Sequence, residues 1–173
     1  KDVTIPVAYP VEGRSTPGAK MANNETFDFH AQGLQYFGRD DRLDLLSQVN
    51  VRVFRPDPKK GTEVTNVDSD RATIDRKKDI MRFTMLESRP SDLRFVKVTQ
   101  PNMKSVSRRA EVRMGGTNRK LRTVRALDDV KIEEKPHVAE DATPAERRRA
   151  LNAKPRYSTS GIAEFDGPRN LIV

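Results

Sequence analysis

From Thr26 onward, apolar and polar residues alternate in short runs divided by polar turns, the signature of antiparallel strands with one buried face. "TFDFHAQGLQYF" turns at "GRDD" into "RLDLLSQVNVRVF", which predicts a hairpin with Val49, Val51 and Val53 on one face and Asn50 and Arg52 on the other. A second hairpin is expected from "TEVTNVDSDRATID" and "IMRFTML", joined at "RKKD". "LRFVKVTQ" resumes after the break "ESRPSD", and Pro101-Asn102 breaks the pattern again. "SVSRRAEVRM" meets a strong turn signal at Gly115-Gly116 and returns as "KLRTVRALDDVKIEE". "YSTSGIAEFD", the turn "GPRN" and a final "LIV" close the pattern.

Two segments depart from it. Residues 1–25 carry Pro6, Pro10, Gly13, Pro17 and Gly18 and read as an extended linker or edge segment ahead of a β domain over 26–173. Thr143, Pro144 and Glu146 form a capping signal before "RRRALNA", which predicts one short helix inside an insertion over about 136–155. Lys1 in place of a Met and the apolar final residues lead to the expectation that the chain continues on both sides.

The pattern repeats itself. Leu46-Ser-Gln-Val49-Asn-Val51 has a twin in Leu127-Asp-Asp-Val130-Lys-Ile132. Ala72 and Ile74, Ala110 and Val112, and Ala163 and Phe165 each precede a turn and a new apolar strand start, at Ile80, Leu121 and Leu171. Gly33-Leu-Gln-Tyr36 before Leu43 is a looser copy.

This ordered recurrence over about 26–173 resembles the OstA-like family of periplasmic lipopolysaccharide-export proteins, most of all its LptC branch, with the soluble LptA branch as the neighbour. The resemblance implies an all-β fold of antiparallel repeat sheets, two of them facing each other as an open β-jellyroll. It implies a periplasmic transport module, tethered to the inner membrane by a segment outside this sequence. Lipopolysaccharide would pass between the sheets from an inner-membrane ABC exporter to a LptA-like bridge protein, each joined by edge-strand pairing. The insertion is not part of the family pattern.

On this reading the inward, lipid-contacting residues are Leu34, Tyr36, Leu43, Leu45, Val49, Val51, Val53, Ile74, Phe83, Val112, Val130, Ile132 and Phe165. The plainer alternative for each is a packed core position.

Composition changes the picture in two ways. Mean hydropathy is -0.77 and a third of the residues are charged (34%), which suits a thin, surface-rich architecture. A net charge of +8 invites polyanions. Arg109, Arg113, Arg119, Lys120 and Arg122 are the candidate phosphate contacts, and parity places Arg109 and Arg113 opposite Ala110 and Val112, towards water. A basic nucleic-acid-binding β-protein is therefore one alternative, though no aromatics interleave with these arginines as stacking platforms. A structural β-repeat assembly protein without ligand is the other.

Catalysis finds no constellation. There is no Cys, hence no disulfide, thiol nucleophile or thiolate metal site. His30 and His137 are far apart in the sequence with no flanking carboxylate cluster, and Ser105, Ser107, Ser158 and Ser160 have no adjacent base. No phosphate-cradling glycine loop precedes a helix. The expectation is a non-enzymatic protein with no metal, no cofactor and no specific nucleic-acid partner.

Overall fold

The structure is a computed structural model that describes residues 1–14, 26–57, 61–115, 120–136 and 142–166. Within them the alternating runs become strands β1 (Val3–Arg14), β2 (Thr26–Phe37), β3 (Arg42–Asp57), β4 (Gly61–Ser69), β5 (Arg71–Asp75) and β6 (Ile80–Thr84). They continue as β7 (Val96–Gln100), β8 (Met103–Ser107), β9 (Arg109–Gly115), β10 (Lys120–Glu134) and β11 (Arg156–Asp166). Helix α1 (Pro144–Asn152) begins at the expected cap: Thr143 Oγ accepts from the Glu146 amide at 3.3 Å while the Glu146 carboxylate accepts from the Thr143 amide at 2.8 Å. Residues Pro144 to Arg149 of this helix are all exposed.

Every pairing is antiparallel, and the described residues are all-β apart from α1 and one 3-10 turn. The pairing path runs β3–β4–β7–β8–β10–β9–β6–β5 and returns to β3, so the sheet closes barrel-like on itself. The expected sheets are thus one connected network. The covalent path explains why. β4 and β5 are separated by Asp70 alone and both lie along β3, so they form one long strand with a corner. β8 and β9 are likewise separated by Arg108 alone and both lie along β10. β6 and β7 occupy the same slot between those two cornered strands, one on each side of the corner. Residues 85–95 leave the sheet in between.

The corners belong to a crease that crosses the sheet. On β1 the register shifts between Ile5 and Pro10, and on β2 between His30 and Gln32, beside Gly33 at φ 73°. On β3 the irregular residue is Gln48 (φ 49°), and on β10 it is Asp128 and Asp129 (φ 64° and 51°). β11 shifts between Ser160 and Ile162 against the same bulge. An inserted residue bends a strand and raises its twist, so bulges in neighbouring strands fold the sheet along one line. The twin sequences at Leu46 and Leu127 are therefore the same device used twice: a bulge followed by an inward Val-x-Val or Val-x-Ile.

Folding along the crease brings the two halves over a common core. Val51, Val96 and Val98 from one half and Phe83, Ala126 and Val112 from the other belong to a single buried cluster. Their exposures of 0–1% cannot arise on a sheet face without cover. β1 is an edge strand through Arg14 and pairs with β2 alone among the described residues. The rest of the 1–25 segment, the turn at 116–119, and "GPRN" with the final "LIV" lie outside the described residues.

Candidate functional site

Cross-strand register builds the inner surface in rows. One row runs Val3, Tyr36, Leu43, Ile74, Met81, Val112 and Val124 from β1 to β10. The next runs Ile5, Leu34, Leu45, Ala72, Phe83, Ala110, Ala126 and Ala163. Across the crease, Phe29, Val51, Val67, Val98, Ser105 and Ile132 form a third. The alanines of the second row sit beside the crease, where the small side chain suits the tightest bend of the two halves.

Exposure along the first row is graded. Val3 is 48% exposed, Tyr36 and Leu43 are half-buried, and Ile74, Met81 and Val112 fall to 6%, 4% and 1%. Ile5, Phe27 and Leu34 are also half-buried against the core. The apolar interior is thus packed in its middle and runs out into water at the β1 end. Tyr36 carries a polar tip there, its hydroxyl donating to Asp41 Oδ1 at 3.2 Å.

The expected lipid contacts divide on this gradient. Leu45, Val49, Val51, Val53, Ile74, Phe83, Val112, Val130 and Ile132 are buried core. Leu34, Tyr36 and Leu43 lie at the graded end. Phe165 pairs with Val124, and its side chain lies outside what is described. All described members of the set share the inner face, as parity predicts.

The basic candidates face water but are engaged. Arg109 Nε donates to Asp128 at 2.7 Å, and Arg113 Nε to Glu111 at 2.8 Å, with Arg82 Nε 3.3 Å from the same carboxylate. The Arg113 hydrogen bond, followed by the charges of Arg113 and Arg82, holds the Glu111 carboxyl below its ordinary range. Arg108 pairs with Asp129 at 2.9 Å and Arg125 with Glu164 at 3.0 Å. The bulge acids Asp128 and Asp129 thus pair with Arg109 and with its neighbour Arg108. Arg119 lies outside the described residues, as do the side chains of Lys120 and Arg122.

His30 is placed by a network that the sequence hid. Its Nδ1 lies 3.1 Å from Glu12 of β1 and its Nε2 3.3 Å from Arg52 of β3. Arg52 also grips the buried Asp28 with two hydrogen bonds of 2.9 and 3.0 Å. Both ring nitrogens are occupied, so the arrangement ties edge strand to sheet and offers no free base. His137 lies outside the described residues. Among the described residues no group of three or more His, Cys, Asp or Glu is placed to hold a metal ion.

Three serines missed as a set also have a role. Ser69, Ser107 and Ser160 each donate their hydroxyl to the carbonyl two residues on, at 3.0, 2.8 and 2.6 Å, and so fasten the corner. The signal was present: each stands three residues before the repeated Ala72, Ala110 or Ala163. Ser105 differs, being buried in the apolar third row with no hydrogen-bond partner for its Oγ.

No protein-family model, no curated protein and no solved structure matches this chain.

Proposed function

We propose that the chain is a periplasmic lipopolysaccharide-transport module of the OstA-like kind, its two facing halves forming a β-jellyroll, without enzymatic activity. The single observation that carries this reading is the graded inner row from Met81 to Val3: a continuous apolar surface that is sealed in the middle and open at one end. Acyl chains fit such an end, because burying each methylene contributes about 0.8 kcal/mol. In this reading Leu34, Tyr36 and Leu43 with Ile5 and Phe27 contact lipid first, and the packed centre parts only as lipid advances. The inner-membrane exporter and a bridge protein are its proposed partners, meeting it through edge strands.

The packed centre favours a second reading, a ligand-free structural repeat sheet. One experiment separates the two. A photo-crosslinking residue at Leu43 or Tyr36 is expected to label with lipopolysaccharide in cells, and one at the outward Thr73 is not. Absence of label at both inner positions leaves the structural reading.

A further inference from the structure

The excursion over 85–95 interrupts one strand slot at the crease. β6 leaves the sheet after Thr84, which pairs with Arg71 and Arg109, and β7 re-enters at Val96, which pairs with Ser107. The corner residues Asp70 and Arg108 therefore have no strand between them. They face each other across a gap in the ladder, with the strap laid over it. Directly beside the gap are Phe83 and Val96, both 0% exposed.

Polar groups at both corners hold this strap. Asp70 is buried, and its carboxylate accepts from Arg89 Nε at 2.6 and 2.8 Å and from the Leu86 amide at 2.9 Å. At the opposite corner Arg108 donates to the carbonyls of Ser91 and Arg94 while lying 4.3 Å over the Phe95 ring. Arg94 binds the strap to itself through the carbonyls of Glu87 and Arg89. Apolar attachment is confined to the strap's two ends, where Met85 packs against the core and Leu86 and Phe95 are half-buried; residues 87–93 between them are exposed throughout, with Leu93 pointing into water at 60%. A cover whose middle buries no side chain, held by polar bonds at two charged corners, opens locally at lower cost than the sheet around it.

We infer that the 85–95 strap is a latch over a side opening into the apolar interior, fastened by Asp70 at one corner and Arg108 at the other. Its occupant when open is an acyl chain, a step that rests on the reading above. Side access complements the end at β1, since an amphiphile entering through a strand gap keeps its polar head in water.

The absence of cysteine makes the test clean. Val96→Cys beneath the strap and Val124→Cys in the other half are each combined with Asp70→Asn or Arg89→Gln, and thiol labelling rates are measured on the full chain. The latch predicts at least a tenfold faster labelling at position 96, with position 124 changed by less than about twofold. Equal acceleration at both positions, which marks general destabilisation, overturns the latch, and so does no acceleration at either. Added lysophosphatidylcholine is then expected to slow labelling at 96 in the Asp70→Asn background. Failure of that protection removes the acyl chain as occupant while the opening stands, and labelling at Leu43 still judges the end-on reading separately.

Discussion

Gln48 and Asp129 hold the same left-handed backbone, φ 49° and 51°, at matching positions of β3 and β10. Neither is glycine, and a left-handed residue with a Cβ costs roughly 1 kcal/mol. The strain persists because each bulge lets its long strand turn the crease while keeping Val49 and Val130 inward at 2% and 1% exposure. Gln48→Gly is expected to hold or raise stability by up to about 1 kcal/mol, and Gln48→Val to lower it by about 1–2 kcal/mol. Urea unfolding of the two variants checks this, and equal midpoints would remove the strained bulge from the account.

Ser105 and Ser107 sit two residues apart on β8 and predict opposite signs. Ser107 Oγ donates to the Arg109 carbonyl at 2.8 Å, whereas Ser105 Oγ is buried without a partner. Ser107→Ala is expected to cost about 1 kcal/mol through the lost corner bond. Ser105→Ala is expected to be neutral or to stabilise by about 1 kcal/mol, because it removes a desolvated hydroxyl. Calorimetric melting of both variants decides it; two shifts of the same sign would count against the corner role.

Acid should loosen the strap. Burial alone would raise the Asp70 carboxyl, but the Arg89 and Leu86 hydrogen bonds, with the charges of Arg89 and Arg71, bring it below its ordinary value. A carboxyl lowered by folding contributes stability above its unfolded value of about 3.9, and that contribution disappears as pH falls through the lower folded value. Wild type is therefore expected to be more stable than Asp70→Asn at pH 7, with the difference shrinking below about pH 4. A constant difference across that range, measured by urea unfolding, would place the effect of Asp70 elsewhere.

The strands were legible because burial on one face writes itself as alternation, and register followed wherever a turn was short. Parity alone placed Arg109 and Arg113 in water and the described apolar candidates on the inner face. The crease was not legible. Gln48 is an ordinary-looking strand residue, and its φ is imposed by neighbours that the local pattern does not contain. That β6 and β7 share a slot depends on Arg71, Arg109 and Ser107, which come from β5, β9 and β8, the first far from the other two in the chain. Depth was equally hidden: Leu43 and Val112 look alike in sequence, yet one is half-buried and the other sealed, and Leu45 two residues further along β3 is sealed as well.

The arginine run should bind polyanions weakly while Glu111 is present. Its carboxylate accepts from both Arg82 and Arg113, so Glu111→Gln frees two guanidinium groups on one face. Glu111 is half-buried but both guanidinium groups reach solvent, and surface pairs contribute roughly 0–1 kcal/mol, so the fold should tolerate the change. Retention on heparin is expected to rise, and the salt dependence of binding to double-stranded DNA to steepen by up to about two phosphate contacts. Tight, sequence-dependent DNA binding by the wild-type chain at physiological salt would instead favour the nucleic-acid alternative.

The edge strand at the open end offers the sharpest handle on the interior. Gly33 stands at the crease of β2 with φ 73°, and a Cβ added there would lie 2.7 Å from Val7 Cα, 2.8 Å from Val7 N and 3.0 Å from the Pro6 carbonyl carbon. These are backbone atoms of β1, which cannot swing aside as a side chain does. β1 must therefore move away from β2 where its register already shifts, between Ile5 and Pro10. Gly33→Ala is expected to cost about 2 kcal/mol from the clash and the left-handed strain together. The loss should be local, because the sealed rows at Met81, Val112 and Val124 lie several strands away. Hydrogen exchange is expected to quicken over residues 3–9 while residues 80–84 keep their protection. Displacing β1 also uncovers Ile5 and Leu34, so a single-chain amphiphile should bind the variant with altered affinity if the β1 end receives acyl chains. Affinity should still climb with chain length, roughly fourfold per methylene. Quickened exchange over 3–9 with no change in amphiphile binding would leave the edge-strand geometry intact and take the β1 end out of lipid recognition.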